Sequence, residues 1–166
     1  MNTRFLKPQE YQSTRKLAEI CFSTSVYNVG YYANDIKDSR ICVTFDNDEI
    51  ISMIHFKRMI LSYETYEKPV WYICYVATHP SYRRKGIMRS LMNFVLETLK
   101  EEGEEFVFLA PVDKNLYTSF GFTNFWKFNR DELRIIYAEE FMEECAMCLL
   151  KTNEFITPLK IKELKK

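Results

Sequence analysis

The segment that most restricts what this chain can become is a run of strand-type residues that passes, through a loop with three cations and one glycine, directly into a helix. Residues 70–78 (VWYICYVAT) are mostly β-branched or aromatic. From Ile87 onward the apolar side chains fall at Ile87, Met88, Leu91, Met92, Val95, Leu96 and Leu99, with Arg89, Asn93, Glu97 and Lys100 opposite, which is helical spacing. His79 and Pro80 close the strand, and Arg83, Arg84, Lys85 and Gly86 fall where it hands over to the helix N-terminus. Such a terminus carries partial positive charge and unpaired N–H groups, and it attracts Asp or Glu. Three cations conflict with that dipole unless an anion joins them. A phosphate resolves the conflict. Gly86 lacks a Cβ and lets a diphosphate approach the N–H groups of the first turn, while the flanking cations neutralise it.

The rest of the pattern builds a mixed α/β domain around this segment. A short strand at residues 3–6 leads through Pro8 into an amphipathic helix ending near Cys21, and a second helix is expected over residues 26–36. Residues 41–45 and 50–61 read as strands on either side of the polar turn Asp46-Asn47-Asp48, and a second turn is expected at residues 64–68. The strand at 70–78, a helix at 86–102 stopped by Gly103, and a strand at 106–110 then form a strand, helix, strand unit. Its crossover is expected to be right-handed and parallel, which puts the cationic loop at the carboxyl end of its strand, where open α/β sheets bind ligands. Beyond Phe122 come a short strand to Phe128, another at 133–137, an acidic amphipathic helix over 138–150, and a lysine-rich end.

Bulk properties narrow the field. A length of 166 residues suits one domain. Lys plus Arg equals Asp plus Glu at 23 each, so no global field holds nucleic acid or an anionic membrane, and phosphate recognition must be local. The cysteines (Cys21, Cys42, Cys74, Cys145 and Cys148) are five, an odd number, and mostly lie in apolar runs, as buried thiols of a reducing compartment do; a cytoplasmic location is expected. The longest apolar run, residues 70–77, falls well short of the roughly 20 residues of a spanning helix.

The pattern Arg83-x-x-Gly86-x-Met88 resembles the pyrophosphate-binding signature of the GNAT superfamily of N-acetyltransferases, whose usual form ends in Gly or Ala where this chain has Met88. A second block, residues 106–122 (FVFLAPVDKNLYTSFGF), places Tyr117 four residues before Gly121-Phe122, as GNAT enzymes do in the same order. Together the two blocks look most like the N-terminal acetyltransferase domain of the Eis-like (enhanced intracellular survival) branch, over about residues 1–130. The resemblance implies an α/β GNAT fold, with a mixed central β-sheet splayed at the cofactor site and flanking helices, over residues 1–137, followed by a C-terminal helix and lysine-rich tail at 138–166. It also implies acetyl-CoA as co-substrate and a primary amine as acceptor, either a small molecule or a lysine. Arg83, Arg84, Lys85, Gly86, Ile87, Met88 and Arg89 would hold the diphosphate. Val76, Ala77 and Thr78 would pair with the amides of the pantetheine arm, as an added strand does. Tyr117 would protonate the leaving thiolate; a phenol is protonated at neutral pH and near enough to a thiol in pKa to share the proton.

The general base is the missing part. Some GNAT enzymes carry a glutamate on the strand before the loop, but residues 70–76 contain no carboxylate. His55 and Glu64 lie on adjacent segments, yet a lone His in an apolar strand is more often a core residue, and His79 beside Pro80 reads as a loop-shaping residue. Cys145-x-x-Cys148 lacks further ligands at zinc spacing and reads as packing, so no metal is expected. The missing carboxylate and Met88 favour a rival reading, a GNAT-fold module that binds acyl-CoA without turnover. Asp35, Asp38, Glu64 and Glu67 lie in the expected substrate loops at residues 22–38 and 62–69, a faint hint of a cationic acceptor. Oligomeric state, and whether this chain stands alone or begins a longer protein, stay open.

Overall fold

The computed structural model describes residues 1–22, 39–63, 66–109, 111, 113–124, 133–136 and 146–149. Eight strands among them, β1 (Asn2–Phe5), β2 (Ser39–Asp46), β3 (Glu49–Tyr63), β4 (Tyr66–Thr78), β5 (Phe106–Leu109), β6 (Thr123–Asn124), β7 (Leu133–Ile136) and β8 (Ala146–Leu149), form one sheet in the order β1-β2-β3-β4-β5-β8-β6, with β7 pairing β3 off this path. The chain divides into two compact units, residues 1–57 with 73–96 and residues 58–72 with 97–166.

In the first unit β1 (Asn2–Phe5) pairs antiparallel with β2 (Ser39–Asp46), Asn2 opposite Phe45 and Phe5 opposite Cys42. A tight turn at Asn47-Asp48 returns the chain into β3 (Glu49–Tyr63), with Asp46 opposite Glu49. Asn47 takes φ 52°, the left-handed region that Asn tolerates better than most side chains. From Ile50 to Phe56 every residue of β3 is buried, which marks a strand covered on both faces. One side of this core gathers Leu6, Leu17, Ala18, Ile41, Val43, Met53, Tyr75 and Ala77.

The helix expected between Pro8 and Cys21 is two structures. Pro8–Thr14 is a 3₁₀ helix, and only Arg15–Phe22, here α1, is α-helical. The hydroxyls of Ser13 and Thr14 explain the difference: they donate to the carbonyls of Glu10 (2.6 Å) and Tyr11 (2.7 Å), three residues back, and so compete with the α-helical ladder. The helix expected at residues 26–36 lies outside the described residues.

β4 (Tyr66–Thr78) starts earlier than the sequence implies, so residues 66–68, expected in a turn, are strand. The preceding strand, β3, likewise runs on to Tyr63, where β7 (Leu133–Ile136) supplies the backbone partner that local residue types do not announce. Along the C-terminal part of β4, Ile73, Tyr75 and Ala77 are buried while Cys74, Val76 and Thr78 are half-buried. The helix that follows, α2 (Ile87–Glu101), buries Ile87, Leu91, Met92, Val95 and Leu99 at the spacing the sequence shows. Its end is a Schellman turn: Gly103 N–H donates to Lys100 O and Glu104 N–H to Leu99 O, each at 3.0 Å, and Gly103 takes φ 85°.

The second unit carries β5 (Phe106–Leu109), α3 (Lys114–Thr118), β6 (Thr123–Asn124), β7 and β8 (Ala146–Leu149). β8 corrects the sequence reading directly. Residues 146–149 were expected inside an acidic helix; they form a strand paired antiparallel with β5, Phe106 opposite Leu149 and Leu109 opposite Ala146. An unpaired edge of β5 would expose a row of N–H and C=O groups, and that tertiary demand outweighs a local helical pattern. In the same unit, the Arg58 guanidinium stacks 4.1 Å from the centre of the Trp71 ring and pairs with Glu104, whose carboxylate also accepts from Trp71 Nε1 at 3.2 Å. No helix among the described residues is long and apolar enough to cross a membrane.

Candidate functional site

The cationic loop is built by the residues around it. His79 N–H donates to Ile51 O (2.8 Å), which ties the end of β4 to β3, and Pro80–Tyr82 then forms one 3₁₀ turn. His79 Nδ1 accepts from Ser81 N–H at 3.3 Å, so this histidine shapes the loop, as expected of it. Tyr82 anchors the turn: its hydroxyl donates to Asp46 at 2.9 Å, its ring meets His79 edge-on at 5.8 Å, and Lys85 Nζ sits 5.0 Å from the ring centre. The hydrogen bond to Asp46, with burial and the charges of Asp46 and Glu49, pushes the Tyr82 pKa up. The sequence places Asp46 only in a polar turn, where the structure makes it the last residue of β2, and gives no role to Tyr82, because nothing local links residues so far apart along the chain.

Beyond the turn the backbone changes hand. Arg84 takes φ 62° and Gly86 φ 78°, both left-handed. For Gly86 this is free of strain, and a Cβ built there would meet nothing within 4 Å, so the space over the first turn of α2 is open. For Arg84 it costs free energy, about 1–2 kcal/mol for an ordinary side chain. Alternating backbone hand of this kind turns N–H groups toward a common concavity that accepts anions. Arg83, Arg84, Lys85 and Arg89 are all exposed, and the first turn of α2 contains no acidic residue. Ile87 is buried and Met88 half-buried, so these two root the helix while their backbone remains part of its N-terminal turn.

Arg83 points back along the strand. Its Nε donates to Thr78 O at 3.1 Å, and the same carbonyl accepts from Cys21 Sγ of α1 at 3.6 Å. Burial raises the Cys21 pKa, against the opposing pull of Arg83. The first unit thus brings together Val76, Ala77, Thr78, Arg83, Arg84, Lys85, Gly86, Ile87, Met88 and Arg89 as one continuous strand, loop and helix turn.

His55 belongs to the core. It is fully buried in β3, and burial holds its pKa down to about 3, so the ring is neutral and out of reach of solvent. It does not serve as an exposed base. Glu64, Asp35, Asp38 and Cys145 lie outside the described residues.

Tyr117 lies in the second unit, on α3. Asp113 caps this short helix, its Oδ1 accepting from Asn115 N–H at 2.9 Å. The chain leaves through Gly121 at φ 86°, with Phe120 and Phe122 N–H both directed at Tyr117 O (3.0 and 3.4 Å). The Tyr117 and Phe122 rings pack edge-on at 6.0 Å. Tyr117 is buried, and burial raises its pKa, so the phenol stays protonated at neutral pH.

A family model for the acetyltransferase (GNAT) domain matches residues 2–125, most of the chain and both motif blocks. The chain belongs to the GNAT acetyltransferase family. No curated protein matches it in sequence. Among solved structures, a GNAT family N-acetyltransferase of Escherichia coli (YhbS) in complex with CoA is similar over 94% of this chain and 86% of its own, with TM-score 0.69 and 16% identity. A Brucella melitensis GNAT acetyltransferase in complex with acetyl-CoA is similar over 81% and 87%, with TM-score 0.63 and 18% identity. Eis1 of Mycobacterium abscessus matches 74% of this chain with TM-score 0.63 and 18% identity, and the chain spans 31% of its length. These likenesses share the fold.

Proposed function

We propose that this GNAT domain transfers the acetyl group of acetyl-CoA to a primary amine by direct attack. The observation that carries the reading is the loop from Arg83 to Gly86: exposed cations, two left-handed residues and an open first helical turn, which together suit a diphosphate. The CoA and acetyl-CoA complexes of two solved relatives support the same ligand. In the reaction, the lone pair of a neutral amine attacks the thioester carbon, the C–S bond breaks, and the thiolate takes a proton from the Tyr117 phenol. The amine releases its own proton to water, since β4 offers no carboxylate at residues 73–78 and His55 is buried. Arg83, Arg84, Lys85 and Arg89 neutralise the diphosphate, and Val76, Ala77 and Thr78 line the strand edge for the pantetheine arm. The two motif blocks support an Eis-like reading, and the cysteine usage supports a cytoplasmic location.

The test has two parts. Coenzyme A should raise the melting temperature by mass action, and pantetheine, which lacks the phosphates, should do so far less. Equal stabilisation by both, or by neither at millimolar concentration, removes the diphosphate site. Thiol release is then followed across polyamines, aminoglycosides, amino acids and lysine peptides. With the amine that works, Tyr117→Phe should bind acetyl-CoA within a few-fold of the parent while turnover falls roughly 10²-fold. Tight coenzyme A binding with no transfer to any amine would instead favour the acyl-CoA sensor, which the missing carboxylate and the burial of His55 also favour.

A further inference from the structure

Ser52 is out of place for its surroundings. It sits within the fully buried stretch of β3 from Ile50 to Phe56, where a hydroxyl carries a desolvation cost that a methyl group would not. Its hydroxyl is satisfied at one place: Oγ donates to Ala77 O at 2.9 Å and lies 2.9 Å from Thr78 Oγ1. The next carbonyl along, that of Thr78, is held by Arg83 Nε and Cys21 Sγ. The last two carbonyls of β4 are therefore pinned by side chains from β3, the cationic loop and α1. A backbone ladder sets spacing along a strand, whereas such side-chain donors set where its end points.

We propose that Ser52 is a positioning residue for the acyl-CoA arm: by holding Ala77 O and the Thr78 hydroxyl, it aims the end of β4 so that its edge meets the pantetheine amides. The inference rests on the coenzyme A reading above and adds a residue that the motif blocks do not contain. It separates two parts of one ligand. The phosphates depend on the loop and α2, and the arm depends on Ser52.

The experiment compares coenzyme A with adenosine 3′-phosphate 5′-diphosphate, which keeps the phosphates and lacks the arm. Ser52→Ala should weaken coenzyme A about tenfold, as a strand end no longer aimed at the arm loses about one hydrogen bond to it, and raise the KM for acetyl-CoA with a smaller change in kcat. Affinity for the nucleotide fragment should stay within about twofold. Ser52→Cys keeps a small side chain but offers only a weak S–H donor and should give the same selective loss at a few-fold, so the proposal remains testable if Ser52→Ala does not fold. Equal weakening of both ligands, or no weakening of either, overturns the positioning role while leaving the coenzyme A reading intact. A parent protein that binds neither ligand overturns both.

Discussion

Two helix N-termini in this chain are built in opposite ways. α3 is closed by its own sequence: Asp113 accepts from Asn115 N–H, and one side chain satisfies an otherwise orphaned donor. α2 is entered through Gly86, which has no side chain to offer, after a run of cations and a left-handed arginine, and its first turn contains Arg89 and no acid. A terminus that only had to be stable would look like α3. The terminus of α2 gives up the cap, accepts backbone strain at Arg84 and gathers like charges, which makes sense where an anion completes it. On the proposed reading the two motif blocks divide the labour: one would be an open receptor, the other a closed pedestal that holds a buried tyrosine.

Substitution at Gly86 tests this contrast most severely. Gly86→Val fills the open space over the first turn and should lower coenzyme A affinity at least ~10²-fold by blocking backbone approach. Because a Cβ meets no neighbour there, the fold itself should lose only the cost of a side chain at φ 78°, about 1–2 kcal/mol. Calorimetric titration and thermal melting separate the two effects. Affinity within a few-fold of the parent would mean that the open turn serves the chain path alone, and the distinction from α3 would collapse.

The reciprocal change belongs to the closed terminus. Asp113→Ala removes the cap of α3 and should cost about 1 kcal/mol of stability, seen as a lower urea midpoint. Binding of adenosine 3′-phosphate 5′-diphosphate should not change, because nothing in the cap is used to hold phosphate. A loss of nucleotide affinity comparable with that of Gly86→Val would show that the two termini do not divide their roles in this way.

How much of this could be read from the chain follows the range of the interactions. The cationic loop, the helix after it, the Asn47 turn and the glycine stop at Gly103 are set by residues a few positions apart, and they stand where local spacing puts them. The loop-shaping role of His79 is equally local. Contacts between distant segments are different: Tyr82 with Asp46, Ser52 with Ala77, and β8 with β5 each join stretches whose own patterns are silent or misleading. Residues 146–149 carry helical periodicity and become a strand, because pairing with β5 outweighs propensity. The opposite failure occurs at the start of the chain, where Ser13 and Thr14 turn an apparent α-helix into a 3₁₀ turn by a strictly local bond. That signal was present in the residue types and is weaker than amphipathic spacing.

The smallest effect is the most discriminating for the open terminus, because it has two signs. Arg84 is exposed and left-handed, so its side chain contributes charge and its backbone contributes strain. Arg84→Gly removes both. Relief of the left-handed strain, offset by the greater unfolded-state freedom of glycine, should raise stability by about 0.5–1 kcal/mol, a small upward shift in melting temperature without ligand. Loss of the cation should weaken coenzyme A several-fold, more at low salt than at high. Arg84→Lys keeps the charge and the strain, and should leave both quantities near the parent values. Stability alone favours glycine at this backbone conformation; on the proposed reading, the anion that Arg84 would hold explains an arginine at φ 62°. If Arg84→Gly lowered stability, the arginine would be a structural residue and the strain argument for an anion site would fail, with Gly86 alone left to support it.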